Sequence, residues 1–214
     1  MILKLKDPVS GLTHLFAALL SIIALVFMIH HSVITNNTVS LISSIIFGAS
    51  LIFLYSASAS YHLINISKRV TAVLRRIDHM MIFVLIAGTY TPVCLITLGG
   101  ETGKMLFIGI WAIAILGILF KAFWFNAPRW LYTLFYIAMG WIIVFAFSPI
   151  SKVMAVPGIV LMVAGGIVYS LGGIVYAFKW PIRNAKYFGF HEIFHIFVIA
   201  GSLLHFFMIY KYVL

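Results

Sequence analysis

Seven long apolar runs restrict what this sequence can fold into. A helix that crosses about 30 Å of hydrocarbon needs roughly 20 apolar residues. Backbone inside lipid must also satisfy its own hydrogen bonds, which favours helices over irregular structure. The pattern therefore predicts an all-α polytopic membrane protein. Its seven transmembrane helices are expected at about residues 11–34, 39–64, 78–98, 105–125, 130–148, 155–178 and 190–212.

Composition excludes an ordinary soluble domain. Hydrophobic residues make up 64% of the chain and charged residues only 8%, against roughly 25% charged residues in soluble domains. The connections between the runs are too short for a second domain, so residues 1–214 are predicted to form one transmembrane domain in the cell membrane. The net charge of +10 is spread between the apolar runs, which favours membrane lipids over nucleic acid as partners and leaves the oligomeric state open.

The distribution of positive charge predicts the orientation. Of the 14 lysines and arginines, only Lys104, Lys152 and Lys211 fall on one side of the predicted bundle. The others fall on the opposite side: Lys4, Lys6, Lys68, Arg69, Arg75, Arg76, Lys121, Arg129, Lys179, Arg183 and Lys186. Cytoplasmic loops retain lysine and arginine, so the N-terminus is expected in the cytoplasm and the C-terminus outside. G-protein-coupled receptors have the opposite arrangement, which argues against a rhodopsin-like protein.

Five polar side chains converge at one membrane depth in this orientation. Ser58 and His62 lie four residues apart near the cytoplasmic end of the second helix, and His191 and His195 have the same spacing at the start of the seventh. Asp78 is expected to begin the third helix. Side chains four residues apart share one helix face. Because ionisable groups within membrane spans are costly, this group is a candidate functional site.

Three imidazoles with an open fourth position are typical of a catalytic zinc site, in which the metal acidifies a bound water. Asp78 is the candidate for taking a proton from that water, and its charge would offset that of the metal. Ser58 is the candidate for a hydrogen bond to the water or to a substrate carbonyl. The alternative is that the histidines bind headgroups or backbone carbonyls at helix ends. That interpretation suits one histidine better than the whole group.

Residues 191–195 also spell H-E-x-x-H, the pattern in which two histidines bind zinc and Glu192 acts as a base. Proteins of that class take a third ligand from further along the chain. No acidic residue follows Glu192, and His205 lies about 15 Å deeper along the helix. The third ligand is therefore expected upstream, with His62 as the best candidate.

Other polar residues give weaker signals. His14 could pack behind the metal ligands or make a hydrogen bond at the start of the first helix. His79 points about 100° away from Asp78 and is expected at the membrane interface, and His205 is expected to pair with another helix. Three glycines at intervals of seven residues predict a close-packed helix seam: Gly158, Gly165 and Gly172.

Four motifs spread over nearly the whole chain carry a family resemblance. They are residues 7–14 (DPVSGLTH), residues 58–62 (SASYH), Asp78-His79 followed by residues 87–92 (AGTYTP), and residues 191–195 (HEIFH). The chain resembles bacterial hemolysin III proteins of the progestin and adipoQ receptor superfamily. That resemblance implies an inside N-terminus and a zinc held by His62, His191 and His195, with Asp78 and Ser58 near the metal water. The family pattern has glutamate and asparagine where this chain has Asp7 and Ser10.

These observations favour a zinc-dependent hydrolase of a lipid amide or ester, whose substrate enters laterally from the membrane. The alternative, also suggested by the family name, is a pore-forming or membrane-perturbing haemolysin, or a regulator of membrane composition, with structural zinc. A receptor or transporter is a third hypothesis, although the sequence shows no broken-helix repeat of the kind found in transporters.

Overall fold

A computed structural model describes residues 6–124, 126–182 and 188–214, and this part of the chain contains seven helices long and apolar enough to cross a membrane. The seven-span all-α prediction is confirmed, and no strand occurs in the described ranges. Lys4, Arg183 and Lys186, which enter the charge count, lie outside the described residues. The helices are α1 (Pro8–Ile34), α2 (Thr38–Leu63), α3 (Lys68–Leu98), α4 (Gly100–Phe123), α5 (Arg129–Val153), α6 (Val156–Phe178) and α7 (Phe190–Tyr212).

The helices surround a common interior. Successive helices pair as α1 with α2, α2 with α3, and α6 with α7, while α7 also packs on α1 and α5 on α6. Helix α4 packs on α3 and buries little of its surface. Large apolar side chains cover the outside, with Phe16 63% and Phe145 90% exposed. Exposed apolar area of this extent is compatible with hydrocarbon and not with water.

Helix α3 begins ten residues earlier than predicted. The basic stretch at residues 65–76 was expected to be a connection, but the helix starts at Lys68. The hydroxyl of Ser67 caps it by accepting a hydrogen bond from the N–H of Val70 at 3.2 Å. Long basic side chains can lie along a helix while their charges remain in water, so the positive charge did not end the helix. Asp78 therefore lies about 15 Å inside α3 and not at its start.

Two other boundaries differ from the prediction by about five residues. Helix α4 starts at Gly100 and not near residue 105. Helix α5 continues past the predicted end at residue 148 to Val153, and Pro149 was wrongly assigned to a connection. Pro149 lies in the first turn of the last α-helical segment of α5, Phe147–Val153. A proline is tolerated there because its missing N–H has no partner within that segment.

The hydroxyl of Tyr90 stabilises an irregularity in α5. The α-helical hydrogen bonding of α5 gives way to a 3₁₀ segment at Ile142–Ala146. Tyr90 donates a hydrogen bond to the carbonyl of Gly140 at 2.7 Å and accepts one from the N–H of Ile143 at 2.8 Å. A hydroxyl inserted in this way satisfies backbone groups that the regular helix would have paired. This contact fixes α3 against α5.

The predicted glycine seam lies between α6 and α7. A Cβ atom at Gly158 would be 2.9 Å from the Cβ of Tyr212, and one at Gly172 would be 2.6 Å from the Cβ of Phe197. Both distances are too short for real atoms, so the absence of side chains allows the two helices to approach closely. The packing interpretation of these glycines is confirmed.

We call the end of the bundle where α1, α3, α5 and α7 begin the basic end, because the described lysines and arginines other than Lys104, Lys152 and Lys211 lie there. The positive-inside rule predicts that this end faces the cytoplasm. In a Cys94→Ala background, an impermeant maleimide added to intact cells should label Lys152→Cys and should label Lys68→Cys only after lysis. Both lysines are exposed. The reverse labelling pattern would show that the orientation is wrong.

Candidate metal centre

Three imidazoles meet near the basic end of the bundle. His62 lies at the end of α2, and His191 and His195 occupy the first two turns of α7. Their ligand nitrogens all lie within 4.8 Å of one another, and Nε2 of His62 is 3.1 Å from Nε2 of His191, a residue 129 positions away in the chain. His62 and His195 are buried and His191 is half-buried. The three residues chosen from the sequence thus form one cluster.

This cluster fits a metal ion. Two imidazole nitrogens bound to a tetrahedral zinc at 2.0–2.1 Å lie about 3.4 Å apart, close to the 3.1 Å between His62 and His191. The 4.8 Å limit for the whole set means that the three rings would draw together around an ion. Nδ1 of His195 is buried without a hydrogen-bond partner in the described part of the chain. The three histidines can therefore hold a metal.

Asp7 fixes the orientation of His62. The N–H of Asp7 donates to the carbonyl oxygen of His62 at 3.0 Å, and Nδ1 of His62 lies 3.1 Å from a carboxylate oxygen of Asp7. Because a carboxylate accepts hydrogen bonds, Nδ1–H is the donor and the lone pair of Nε2 faces His191. Outer carboxylates orient metal-binding histidines in this way. In the sequence, Asp7 was noted only as part of a motif, and its role in orienting His62 was not predicted.

Glu192 joins α1 to α7. The hydroxyl of Ser10 donates to Oε1 of Glu192 at 2.6 Å, and the N–H of Gly189 donates to Oε2 at 2.8 Å. Both carboxylate oxygens therefore serve packing and capping at the start of α7. The interpretation of Glu192 as the base of an H-E-x-x-H zinc site does not fit these contacts, which agrees with the expectation of an upstream third ligand.

An apolar cavity of about 140 Å³ begins beside the cluster. Asp78 and Ser58, both buried, line it together with His191 and His195. The hydroxyl of Ser58 lies next to the carboxylate of Asp78. A carboxylate, a hydroxyl and two histidines of the cluster therefore face the same space. The depth argument from the sequence placed these side chains together, although Asp78 reaches the site from the interior of α3.

Two further histidines lie around this space. His14 is buried and stacks on His195, with ring centroids 3.6 Å apart. His14 therefore packs behind a histidine of the cluster, which is one of the two positions expected from the sequence. His79 is also buried and lies against Tyr132 with centroids 5.5 Å apart. Its expected interfacial position was wrong because α3 begins ten residues earlier.

The cavity follows α7 from His191 to His205, a length of roughly 21 Å at the helical rise. Its walls are mostly apolar. At the far end, His205 stacks on the ring of Tyr169 with centroids 5.3 Å apart. The expected pairing of His205 with another helix is thus a ring contact with α6, and His205 takes no part in the metal cluster.

A second cavity of about 300 Å³, here called the vestibule, lies on the other side of His191 at the basic end. Its lining is mostly polar, in contrast to that of the apolar cavity. The charged and imidazole side chains that line it are Asp7, His62, Arg75, His79, Arg129, His191 and Glu192. The histidine cluster therefore separates an apolar cavity from a polar one.

Comparison with known proteins agrees with this architecture. Residues 3–206 match the family described as Haemolysin-III related. The chain belongs to the haemolysin III family. It is 39% identical to Hemolysin-3 of Bacillus cereus over 209 residues, covering 98% of this chain and 92% of that protein. It is 38% identical to a Hemolysin-3 homolog of Bacillus subtilis (strain 168) over 207 residues, covering 97% and 94%. This haemolysin III protein is a multi-pass protein of the cell membrane.

Metal analysis tests the ligand set. The purified protein should contain about one metal ion per chain, and His191→Ala combined with His195→Ala should remove it because one imidazole cannot hold the ion. His30→Ala is the matched control, since this exposed histidine lies at the opposite end of α1. Metal retained by the double variant would exclude the proposed ligands.

The role of Asp7 predicts a smaller effect. Asp7→Asn should weaken metal affinity by roughly 10- to 100-fold, because His62 loses the carboxylate that orients it. Affinity is measured by competition with a chelator. Lys6→Gln is the control: it removes an ion pair with Asp7, at 3.5 Å, but leaves the contact with His62. Equal affinities of the Asp7→Asn and Lys6→Gln proteins would show that Asp7 has no orienting role.

Proposed function

We propose that this haemolysin III protein is a zinc-dependent membrane hydrolase of lipid amides or esters. The observation that carries the proposal is the position of Asp78 and Ser58. Both face the same apolar cavity as two histidines of the metal cluster. A structural metal site would not need a buried carboxylate and hydroxyl facing an apolar cavity beside it.

The donor set favours zinc. Three imidazoles and no further protein ligand in the described cluster match a catalytic site, which keeps one position open. A zinc ion bound there would supply a Lewis acid and acidify a water molecule. The carboxylate of Asp78 would compensate part of the metal charge in a medium of low dielectric constant.

Asp78, Ser58 and His14 have different roles in this hydrolysis. Asp78 accepts a proton from the attacking water while the oxygen of that water forms a bond to the carbonyl carbon. It returns that proton to the nitrogen or oxygen of the leaving group as the old bond breaks. Ser58 orients the Asp78 carboxylate or donates to the substrate carbonyl. His14 packs against His195 and helps to hold this ligand in place.

The apolar cavity suits a long acyl chain. Its length of roughly 21 Å matches an extended chain lying along α7. Ile86, Ile137 and Trp141 line it and are only half-buried, so the cavity reaches towards the lipid-facing surface between α3 and α5. We place lateral substrate entry there. With the basic end in the cytoplasm, the site would serve the inner leaflet.

One observation favours a second function. Both relatives carry the name of a haemolysin, which points to lysis of membranes or to an effect on membrane composition. In that case the metal would be structural and would fasten α2 to α7. Asp78 would then have no role in chemistry.

Asp78→Asn separates the two functions. The variant should keep its metal, because Asp78 is not one of the three ligands, and should hydrolyse an acyl amide or ester lipid at least 100-fold more slowly. Metal content and turnover of a panel of such lipids are measured on the same preparation. Glu101→Gln is the matched carboxylate control, since Glu101 is exposed at the opposite end of the bundle.

Lipid profiles of cells that express either protein extend the test. Accumulation of one lipid class with Asp78→Asn would identify the substrate. Unchanged lipid turnover by the variant, together with undiminished lysis of red cells, would reject the hydrolase and support the haemolysin.

A further inference from the structure

We propose that the vestibule binds the phosphate group of an acylated lipid, so that the substrate class is an anionic phospholipid. This inference rests on the proposed hydrolase function. His191 lines both cavities. A lipid whose scissile bond lies at the metal cluster must therefore place its acyl chain in the apolar cavity and the rest of the molecule in the vestibule.

Two arginines from different helices face the vestibule. Arg75 comes from α3 and Arg129 from the first turn of α5. The guanidinium of Arg129 lies 4.6 Å from the ring centroid of Tyr176 and 5.3 Å from that of Phe190. Stacking on aromatic rings restrains the planar group while its edge can still donate hydrogen bonds. Such a guanidinium matches the spacing of phosphate oxygens.

The two carboxylates that line the vestibule have partners of their own. Asp7 contacts Lys6 at 3.5 Å and His62 at 3.1 Å. Glu192 accepts hydrogen bonds from Ser10 and from the N–H of Gly189. With a divalent metal at the histidines, the positive charges of the metal, Lys6 and the two arginines still exceed the negative charges of the three nearby carboxylates, Asp78 included. A phosphate would balance this excess, whereas a neutral headgroup would leave it uncompensated near the low-dielectric interior.

Binding to two lipids that differ only by phosphate tests the inference. Metal-loaded Asp78→Asn protein in maltoside micelles, which holds lipid without turnover, is titrated with 1-oleoyl lysophosphatidic acid and with 1-oleoylglycerol. Competition against a fluorescent acyl probe gives both affinities. The phosphate lipid should bind roughly tenfold more tightly, the effect of one or two charge-assisted contacts. Equal affinities would overturn the inference.

Arginine variants locate the preference. Arg75→Gln and Arg129→Gln, each added to Asp78→Asn, should reduce the preference severalfold, while Arg69→Gln, exposed in the first turn of α3, should preserve it. Metal content shows whether each variant has kept its fold, and Arg129→Lys replaces Arg129→Gln if the latter loses metal. A preference that survives substitution of both arginines, or falls equally with Arg69→Gln, overturns the inference.

Two further measurements separate a phosphate-lipid site from a site for free phosphate, and the phosphate inference from the hydrolase proposal. Inorganic phosphate is tested as a competitor of lysophosphatidic acid. If it displaces the lipid at a concentration equal to the dissociation constant of the lipid, the vestibule is a site for free phosphate and the lipid assignment is overturned. Equal hydrolysis of the two lipids by wild-type protein would reject the phosphate inference while the hydrolase stands. Hydrolysis of neither lipid, with the phosphate preference retained, would support the vestibule as a phosphate-lipid site and count against the hydrolase.

Discussion

The contacts of Asp7 and Ser10 with their neighbours hold the site together. Asp7 binds His62 through its backbone and its carboxylate, and Ser10 binds Glu192 next to His191. These bridges join α1 to α2 and to α7, the helices that carry the metal cluster. Ser10 and His62 are buried, and a buried polar group without a hydrogen-bond partner costs free energy because no water replaces the lost partner. The same constraint that pairs these groups therefore also aligns the histidines.

Much of the fold could be predicted because the membrane imposes simple rules on sequence. Length and hydropathy located all seven helices, and the spacing of His191 and His195 placed both on one face. The start of α3 was predicted too late because the basic stretch at residues 65–76 has the composition of a loop. Its arginine stems and the Ser67 cap nevertheless support a helix. Composition alone cannot distinguish a charged connection from a helix that extends into the headgroup region.

Only part of the candidate site could be predicted from the sequence. The three histidines, Ser58 and Asp78 could be chosen because polar groups within membrane spans are rare and fell at similar depths. Asp7 and Glu192 act through contacts between residues 55 and 182 positions apart, and no local pattern indicates such pairs. The H-E-x-x-H pattern alone would suggest that Glu192 is a base, but the lack of a later third ligand argued against this, and its oxygens cap α7 and bind Ser10.

The early start of α3 also shapes the polar vestibule beside the histidine cluster. His62 is the penultimate residue of α2 and His191 is the second residue of α7. The cluster therefore lies where α2 ends and α7 begins. Helix α3 continues past Asp78 by ten residues, or about 15 Å, towards the basic end. This extension carries Arg75 one turn beyond Asp78 and forms part of the vestibule wall. An α3 beginning at residue 78 would have left this wall without Arg75. The same helix thus contributes the proposed proton acceptor, which faces the apolar cavity, and an arginine that faces the polar one. A bond held between these two side chains would lie at the boundary between the acyl chain and the headgroup.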